Sequence, residues 1–403
     1  MIVVGILYGL VAWVGHACVW TALLSNLYGR RISKTFLKIF RLFCGITIVA
    51  FPLLVASSVR LDIPGEHAIN GYWGRAIVFY AGACAAIGGI VFPVITLRRY
   101  LRKSPACLVS TSSVVVDYRK QHGRALFGDG KWRWLPRLPG SCVFRVEFTR
   151  LTLAVPNLPP AWEGLEVLLL SDFHFHGTPS RLFFESVIDQ VNAEQPPDLV
   201  LLAGDYVDSD RHRSWIAPLL GKLSAKEGKF AVLGNHDEHH DPEAIRGELR
   251  LAGCEVLGNS SCKMTIRGVP CLMIGHEGPW FAPAADLAGA PQGIFRWLVA
   301  HSPDAFIWAQ KQGVNLMVAG HVHGGQIRLP LIGSIFVPSV YGRRFDQGLF
   351  DEGGTILTVS RGLSGKEPLR YNCLPQVVRM TLSLQNKKKE FHREERKDHE
   401  AEK

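Results

Sequence analysis

Three short clusters of oxygen and nitrogen donors punctuate the middle of the chain: Ser171-Asp172-Phe173-His174, Gly204-Asp205-Tyr206-Val207-Asp208 and Gly234-Asn235-His236-Asp237. Two more follow, His301-Ser302-Pro303 and Gly320-His321-Val322-His323-Gly324-Gly325-Gln326, and His276-Glu277 stands between the two groups. Carboxylate, imidazole and carboxamide without thiolate suit borderline divalent ions such as Mn, Fe, Co, Ni or Zn rather than soft Cu(I). A carboxylate can also bridge two cations ~3.5–4 Å apart, which singles out Asp205. Alone, a Gly-Asp pair more often just caps a turn. The recurrence of the same setting at the other clusters raises the functional reading.

That setting is the end of an apolar run. Residues 167–170, 199–203, 230–233, 271–274, 295–300 and 316–319 are short and apolar enough to be strands buried on both faces, and each leads into one of the clusters. Open α/β sheets bind ligands at the carboxyl ends of such strands. Asp172 and His174, two apart, can both reach one ion where the strand opens into a loop. Strict strand alternation would put His321 and His323 on one face, whereas a Gly-rich loop could aim them at different ions. Alternation of strands with helical patterns over about 165–384 predicts an α/β domain.

The amino-terminal quarter reads differently. Residues 2–24, 42–59 and 76–97 carry no formal charge, and each can span ~30 Å of hydrocarbon as a helix. Arg30, Arg31, Lys34, Lys38 and Arg41 follow the first run, and Arg98, Arg99, Arg102 and Lys103 follow the third. The positive-inside rule then predicts a multi-pass protein of the cell membrane with everything after residue 98 in the cytoplasm. Residues 1–150 hold 19 Lys/Arg against 5 Asp/Glu, and the remainder 26 against 30. The basic excess therefore sits beside the membrane, which argues for anionic lipid contact and against nucleic-acid binding by the catalytic half. Nine cysteines without metal-ligand spacing fit unpaired thiols. The expected organisation is a membrane region over 1–103, a basic and aromatic connector over 104–150, a catalytic domain over 151–384 and a charged tail over 385–403. The connector, with strand-like pieces at Ser113–Val116 and Val143–Phe148 and basic residues scattered among Phe127, Trp132 and Trp134, reads as a solvated linker in preference to a lipid-lying surface.

The ordered set Asp-x-His, Gly-Asp-x-x-Asp, Gly-Asn-His-Asp, a later His and Gly-His-x-His resembles the calcineurin-like metallophosphoesterase superfamily. Pro156-Asn157-Leu158-Pro159-Pro160, Ser360-Arg361-Gly362-Leu363 and Pro368-Leu369-Arg370 are similar to its bacterial membrane-associated phosphodiesterase branch. The resemblance implies a four-layer α/β/β/α sandwich with two divalent metal ions at the strand ends. One ion would be held by Asp172, His174 and His323, with Asp205 bridging; Asn235, His301 and His321 would hold the second. It implies in-line attack on phosphorus by a metal-bridging hydroxide, His236 acting on the leaving group and Asp237 orienting His236, with Asp208 as support. Arg361 or Arg370 could pair with a phosphate or form a structural ion pair. His276 is a candidate substrate contact, and Trp280 and Phe281 either line an apolar wall or pack the domain. His176, His212, His239 and His240 read as surface residues. The expected function is a membrane-anchored phosphodiesterase or phosphatase with a phosphoester substrate, membrane lipids as its surroundings and no obligate protein partner. A lipid-linked phosphate or pyrophosphate is the alternative substrate, and a non-catalytic metal-stabilised scaffold the remote alternative.

Overall fold

The structure, a computed structural model, describes residues 2–60 and 72–385. The connection over 61–71, between the second and third apolar runs, and the charged tail from 386 lie outside the described residues. The described chain divides into two units, one formed by Met1–Lys103 with Pro330–Gly342, the other by Ser104–Leu329 with Arg343–Lys403.

In the first unit the three apolar runs are helices: α1 (Ile2–Tyr28), α2 (Lys34–Arg60), and a third made of α3 (Tyr72–Ala86), a π-helical turn (Ile87–Val91) and α4 (Phe92–Tyr100). Three helical stretches, Val3–Tyr28, Lys34–Val55 and Arg75–Tyr100, are long and apolar enough to cross a membrane. Their packing relies on small residues. A Cβ on Gly15 would lie 1.8 Å from the Cys84 carbonyl oxygen, and one on Gly88 2.1 Å from that of Val11, so the backbones are in direct contact.

The second unit is built on two mixed sheets. The first, in the order β1-β2-β15-β3-β4-β5-β6, uses β1 (Leu108–Asp117), β2 (Arg145–Val155), β15 (Gln376–Leu384), β3 (Glu166–Leu170), β4 (Leu199–Leu202), β5 (Gly228–Ala231) and β6 (Glu255–Val256). The second, in the order β13-β14-β10-β9-β8-β7, uses β13 (Gly348–Glu352), β14 (Thr355–Val359), β10 (Leu316–Ala319), β9 (Phe295–Ala300), β8 (Val269–His276) and β7 (Ser261–Ile266). All six anticipated strands are present. Strand alternation fixes the layers. Val167, Leu169, Leu199 and Leu201 face a core shared with Met273, Trp297, Val299 and Val318 of the second sheet. Leu168, Leu170, Val200 and Leu202 face helices, among them α6 (Arg181–Asn192), whose Phe183, Phe184, Val187, Ile188 and Val191 form one apolar stripe. On the second sheet, α9 (Phe306–Lys311) supplies Phe306 to a cluster with Phe345 and Phe350.

One boundary changes. The 104–150 stretch is no linker: β1 and β2 pair over their lengths, β2 pairs with β15, and Tyr118, Leu126, Phe127, Val143 and Phe144 are buried in the outer core. The strand-like piece at 113–116 lies within the longer β1 and that at 143–148 runs into the longer β2; β1 reads as apolar over so little of its length because it is an edge strand exposed along most of it.

Candidate metal centre

β3, β4 and β5 run parallel, with Leu170, Leu202 and Ala231 level in register. β9 and β10 are parallel likewise, with Val299 level with Val318. The ligand-bearing loops of each sheet therefore leave from one edge. Beyond the strand ends the backbone departs from extended geometry at the donors themselves. Asp172, His174, Asp205, His321 and His323 have φ of 55°, 47°, 57°, 70° and 51°. Left-handed backbone costs a non-glycine residue roughly 1–2 kcal/mol, so strain is concentrated on five of the seven anticipated ligands. Hydrogen bonds hold them there: Asp172 N–H donates to the Gly204 carbonyl (2.9 Å), His174 N–H to that of Asp205 (3.0 Å), and His321 N–H to Asp172 Oδ1 (2.9 Å).

The side chains form two groups that share one residue. Donor atoms of Asp172, His174, Asp205 and His323 lie within 4.8 Å of one another, as do those of Asp205, His301 and His321. Asp205 Oδ2 is 3.5 Å from His174 Nε2 and 3.4 Å from His301 Nε2, so one carboxylate oxygen stands between the two groups. Its Oδ1 accepts the His236 N–H at 2.8 Å. Asn235 Oδ1 lies 3.0 Å from His301 Nε2. A Cβ on Gly234 would come 2.1 Å from Asp205 Oδ1, so only glycine lets the two loops approach this closely.

The donors fit cations. Three imidazoles turn Nδ1 to an acceptor: His174 to Asp208 (2.8 Å), His301 to the Ala203 carbonyl (2.7 Å) and His323 to the Ser364 carbonyl (3.1 Å). Each then presents Nε2 to the centre, the arrangement that orients metal-bound histidine. His174 Nε2 and His323 Nε2 face each other at 3.3 Å, and two such lone pairs need a proton or a cation between them. Burial alone would lower the pKa of His174, but Asp208, Asp205 and Asp172 outweigh it and raise it to about 9. Burial opposes His301 in the same way, and Asp205 brings it to about 9. Burial would raise Asp205, yet His301, His236 and His174 hold it well below the usual carboxylate range. His323, buried and beside His174 and Arg370, is held well below the ordinary imidazole value.

Several anticipated roles are reassigned. Asp237 does not orient the His236 ring. Its carboxylate accepts the backbone N–H groups of Gly234, Asp205, Tyr206 and Val207, tying the β5 loop to the β4 loop. Burial and the neighbouring Asp205 raise it to about 7. Asp208 orients His236 instead: one of its oxygens takes the His236 Nδ1 and the other the His174 Nδ1. Arg370 is 1% exposed, and its guanidinium donates to the carbonyls of Arg361 (2.7 Å) and Ser364 (2.5 Å), so it braces the loop under His323 and is not placed to meet substrate. Arg361 pairs with Glu147 of β2, the structural alternative. His276 packs against Trp308 at 5.0 Å, and burial lowers it to about 4. His176 and His212 are buried, not superficial: His176 Nε2 meets the Gly365 carbonyl (3.3 Å), and His212 sits edge-on to Trp215. Trp280 is a wall of the centre, 4.7 Å from His321 and 5.5 Å from His301 between ring centroids.

Glu277, unassigned from sequence, anchors the β5 end. It accepts the Leu233 N–H (2.6 Å) and takes Arg246 of α8 (Pro242–Leu251) in a two-point pair at 2.9 and 2.5 Å. Both side chains are largely shielded from water. Breaking one partner of a buried pair costs about 3–5 kcal/mol, so Glu277→Ala should lower stability by that amount in denaturant titration of the detergent-purified chain. A loss under ~1 kcal/mol, the ceiling for exposed pairs, would contradict this placement.

Residues 165–325 match the family model described as calcineurin-like phosphoesterase. A Bacillus subtilis (strain 168) relative, the uncharacterized metallophosphoesterase YkuE, is 31% identical over 257 residues, 60% of this chain and 87% of its own length. The phosphodiesterase YaeI of Escherichia coli (strain K12) is 32% identical over 58% of this chain and 86% of its own. A Danio rerio transmembrane protein with metallophosphoesterase domain is 32% identical over 43% of this chain and 44% of its own.

Proposed function

This chain belongs to the calcineurin-like metallophosphoesterase family and is a metal-dependent phosphoester hydrolase; from that premise we propose that it hydrolyses phosphoesters at a dinuclear centre bridged by Asp205, on the cytoplasmic face of the membrane that α1–α4 cross. The observation that carries the proposal is Asp205 Oδ2, set between His174 and His301 and common to both donor groups. Asp172, His174 and His323 would hold one divalent ion and Asn235, His301 and His321 the other. Bound there, the ions would lower the pKa of a water molecule and offset charge on the phosphoryl oxygens. The remaining work falls to the chain. Asp208 accepts Nδ1–H from both His174 and His236, which directs both Nε2 atoms inward. His236 Nε2 then meets the leaving oxygen and supplies its proton as the bond to phosphorus breaks. Trp280 covers His301 and His321 and keeps bulk water from that side.

The direct test is elemental analysis of the purified full chain with a panel of phosphoesters, including an activated aryl phosphodiester supplied with Mn or Co. About two ions per chain and hydrolysis are expected. Less than one ion per chain with no hydrolysis would favour a metal-stabilised scaffold in which the spans carry the function.

Metal uptake should be pH-dependent in a fixed direction. In the metal-free chain His174 and His301 keep their protons up to about 9, and an entering cation must displace them. Apparent affinity should therefore rise with pH from 6 towards 9 and level off above. Calorimetry at pH 7 in two buffers of different ionisation enthalpy should show proton release, shrinking as pH approaches 9. Buffer-independent heats at pH 7 would contradict the protonated resting state.

A further inference from the structure

The first unit contains a segment that its spanning helices do not account for. Pro330–Gly342 reads Pro-Leu-Ile-Gly-Ser-Ile-Phe-Val-Pro-Ser-Val-Tyr-Gly, without a charged residue. It groups with the helical unit and not with the two large mixed sheets whose strands precede and follow it in the chain. It is fastened to the last turns of α1. Val337 N–H donates to Ser25 Oγ at 3.4 Å, and Asn26 Nδ2 donates to the Val340 carbonyl at 3.1 Å. The Phe336 ring meets Tyr28 edge-on, with centroids 5.4 Å apart. Despite these attachments its outer side is bare: Leu331 is 85% exposed and Ile335 41%.

The helix sets the depth of the segment. α1 has 27 residues, and at 1.5 Å each a helix of that length extends ~40 Å, beyond the ~30 Å hydrocarbon layer. Its final turn is followed by Arg30 and Arg31, and Arg30 folds back onto Asn26 Oδ1 at 2.9 Å. That end belongs at the level of the lipid headgroups, where arginines meet phosphate. A segment hydrogen-bonded to Ser25 and Asn26 lies at the same level. Apolar side chains left uncovered there face the boundary between headgroups and acyl chains, where their burial is favourable. In water, the same side chains would form an exposed apolar patch on an uncharged loop.

We propose that Pro330–Gly342 is a second, non-spanning membrane anchor whose partner is the lipid bilayer at the basic end of α1, with Leu331 and Ile335 embedded among the upper acyl chains. The anchor rests on the reading of α1 as a membrane span. In the chain it follows directly on the connection that carries His321 and His323, so one stretch of backbone bears both two ligands of the centre and the lipid contact.

Labelling depth tests it. The native cysteines are buried or half-buried, so Leu331→Cys in the full chain offers a far more accessible thiol for an environment-sensitive fluorophore. Leu10→Cys, on an exposed face of α1, and Leu251→Cys, at the exposed end of α8, are the controls. After reconstitution into vesicles of phosphatidylcholine and phosphatidylglycerol, lipids brominated high on the acyl chain should quench most of the fluorescence at 331. They should leave 251 unaffected, and deep-brominated lipids should quench 10. Quenching at 10 but not at 331 would overturn the anchor while leaving the span intact. Blue-shifted but unquenched emission at 331 would assign Leu331 to a contact with a second copy, again overturning it. Loss of quenching at both 10 and 331 would instead remove the membrane reading on which the anchor rests.

Discussion

Asp205→Ala should reduce phosphoester hydrolysis by on the order of 10³-fold, the upper end of what removing one preorganised electrostatic group costs, and should lower the bound metal content of the purified chain. The size of the effect follows from how many groups lean on this carboxylate. Oδ2 stands between His174 and His301, and Oδ1 holds the His236 N–H. Its loss removes a shared donor from both groups at once, so neither half of the centre is left intact. Asp205→Asn sharpens the test, because it keeps the shape and an acceptor for the His236 N–H while removing the charge. Without that charge the support that raises His174 and His301 weakens, and both imidazoles should titrate lower in the metal-free chain, visible by proton NMR. If the centre depends on charge, the asparagine variant should lose activity nearly as completely as the alanine variant. Full activity with full metal content in Asp205→Ala would sink the bridging assignment.

The parts legible in the sequence are those where local pattern and tertiary role coincide. Residues 199–203 are apolar on both faces because β4 lies between helices and a second sheet, and a strand of that kind carries an unbroken apolar run. The donors stand out because five strand ends repeat one design. What stayed hidden depends on long-range contact. Asp237 adjoins His236 in sequence and Asp208 stands 28 residues before it, and no spacing rule distinguishes the one that turns towards backbone amides from the one that turns towards two imidazoles. The pairing of Arg370 with carbonyls rather than phosphate depends on the loop it braces. β1 was legible only over 113–116 because an exposed edge strand shows little apolar periodicity, and β15 was hidden because residues 376–384 join the sheet from the far end of the chain. The left-handed backbone at Asp172, His174, Asp205, His321 and His323 has no sequence signature at all, since the residues there are chosen for their chemistry and not for their turn propensity.

His236→Ala should lower kcat by about 10²–10⁴-fold, the usual contribution of a general acid, while leaving metal content near that of the unaltered chain. The two readouts separate His236 from the ligands, because its Nδ1 is committed to Asp208 and its ring lies edge-on to His174 at 4.6 Å between centroids. The deficit should shrink for a substrate whose leaving group needs no proton, such as a nitrophenyl ester, and grow for an alkyl ester. Asp208→Asn should behave differently. It frees both rings, so it should lower activity and also weaken metal binding by roughly 10–100-fold, the range for partners that orient a ligand. Combining the two substitutions gives the decisive result. If Asp208 acts on the leaving group only by holding His236, the double variant should fall by much less than the product of the single losses in kcat at saturating metal. The single-variant metal deficit should persist unchanged, since that part runs through His174. Fully multiplicative losses in kcat would mean that the Asp208–His236 contact is structural and that another group protonates the leaving oxygen.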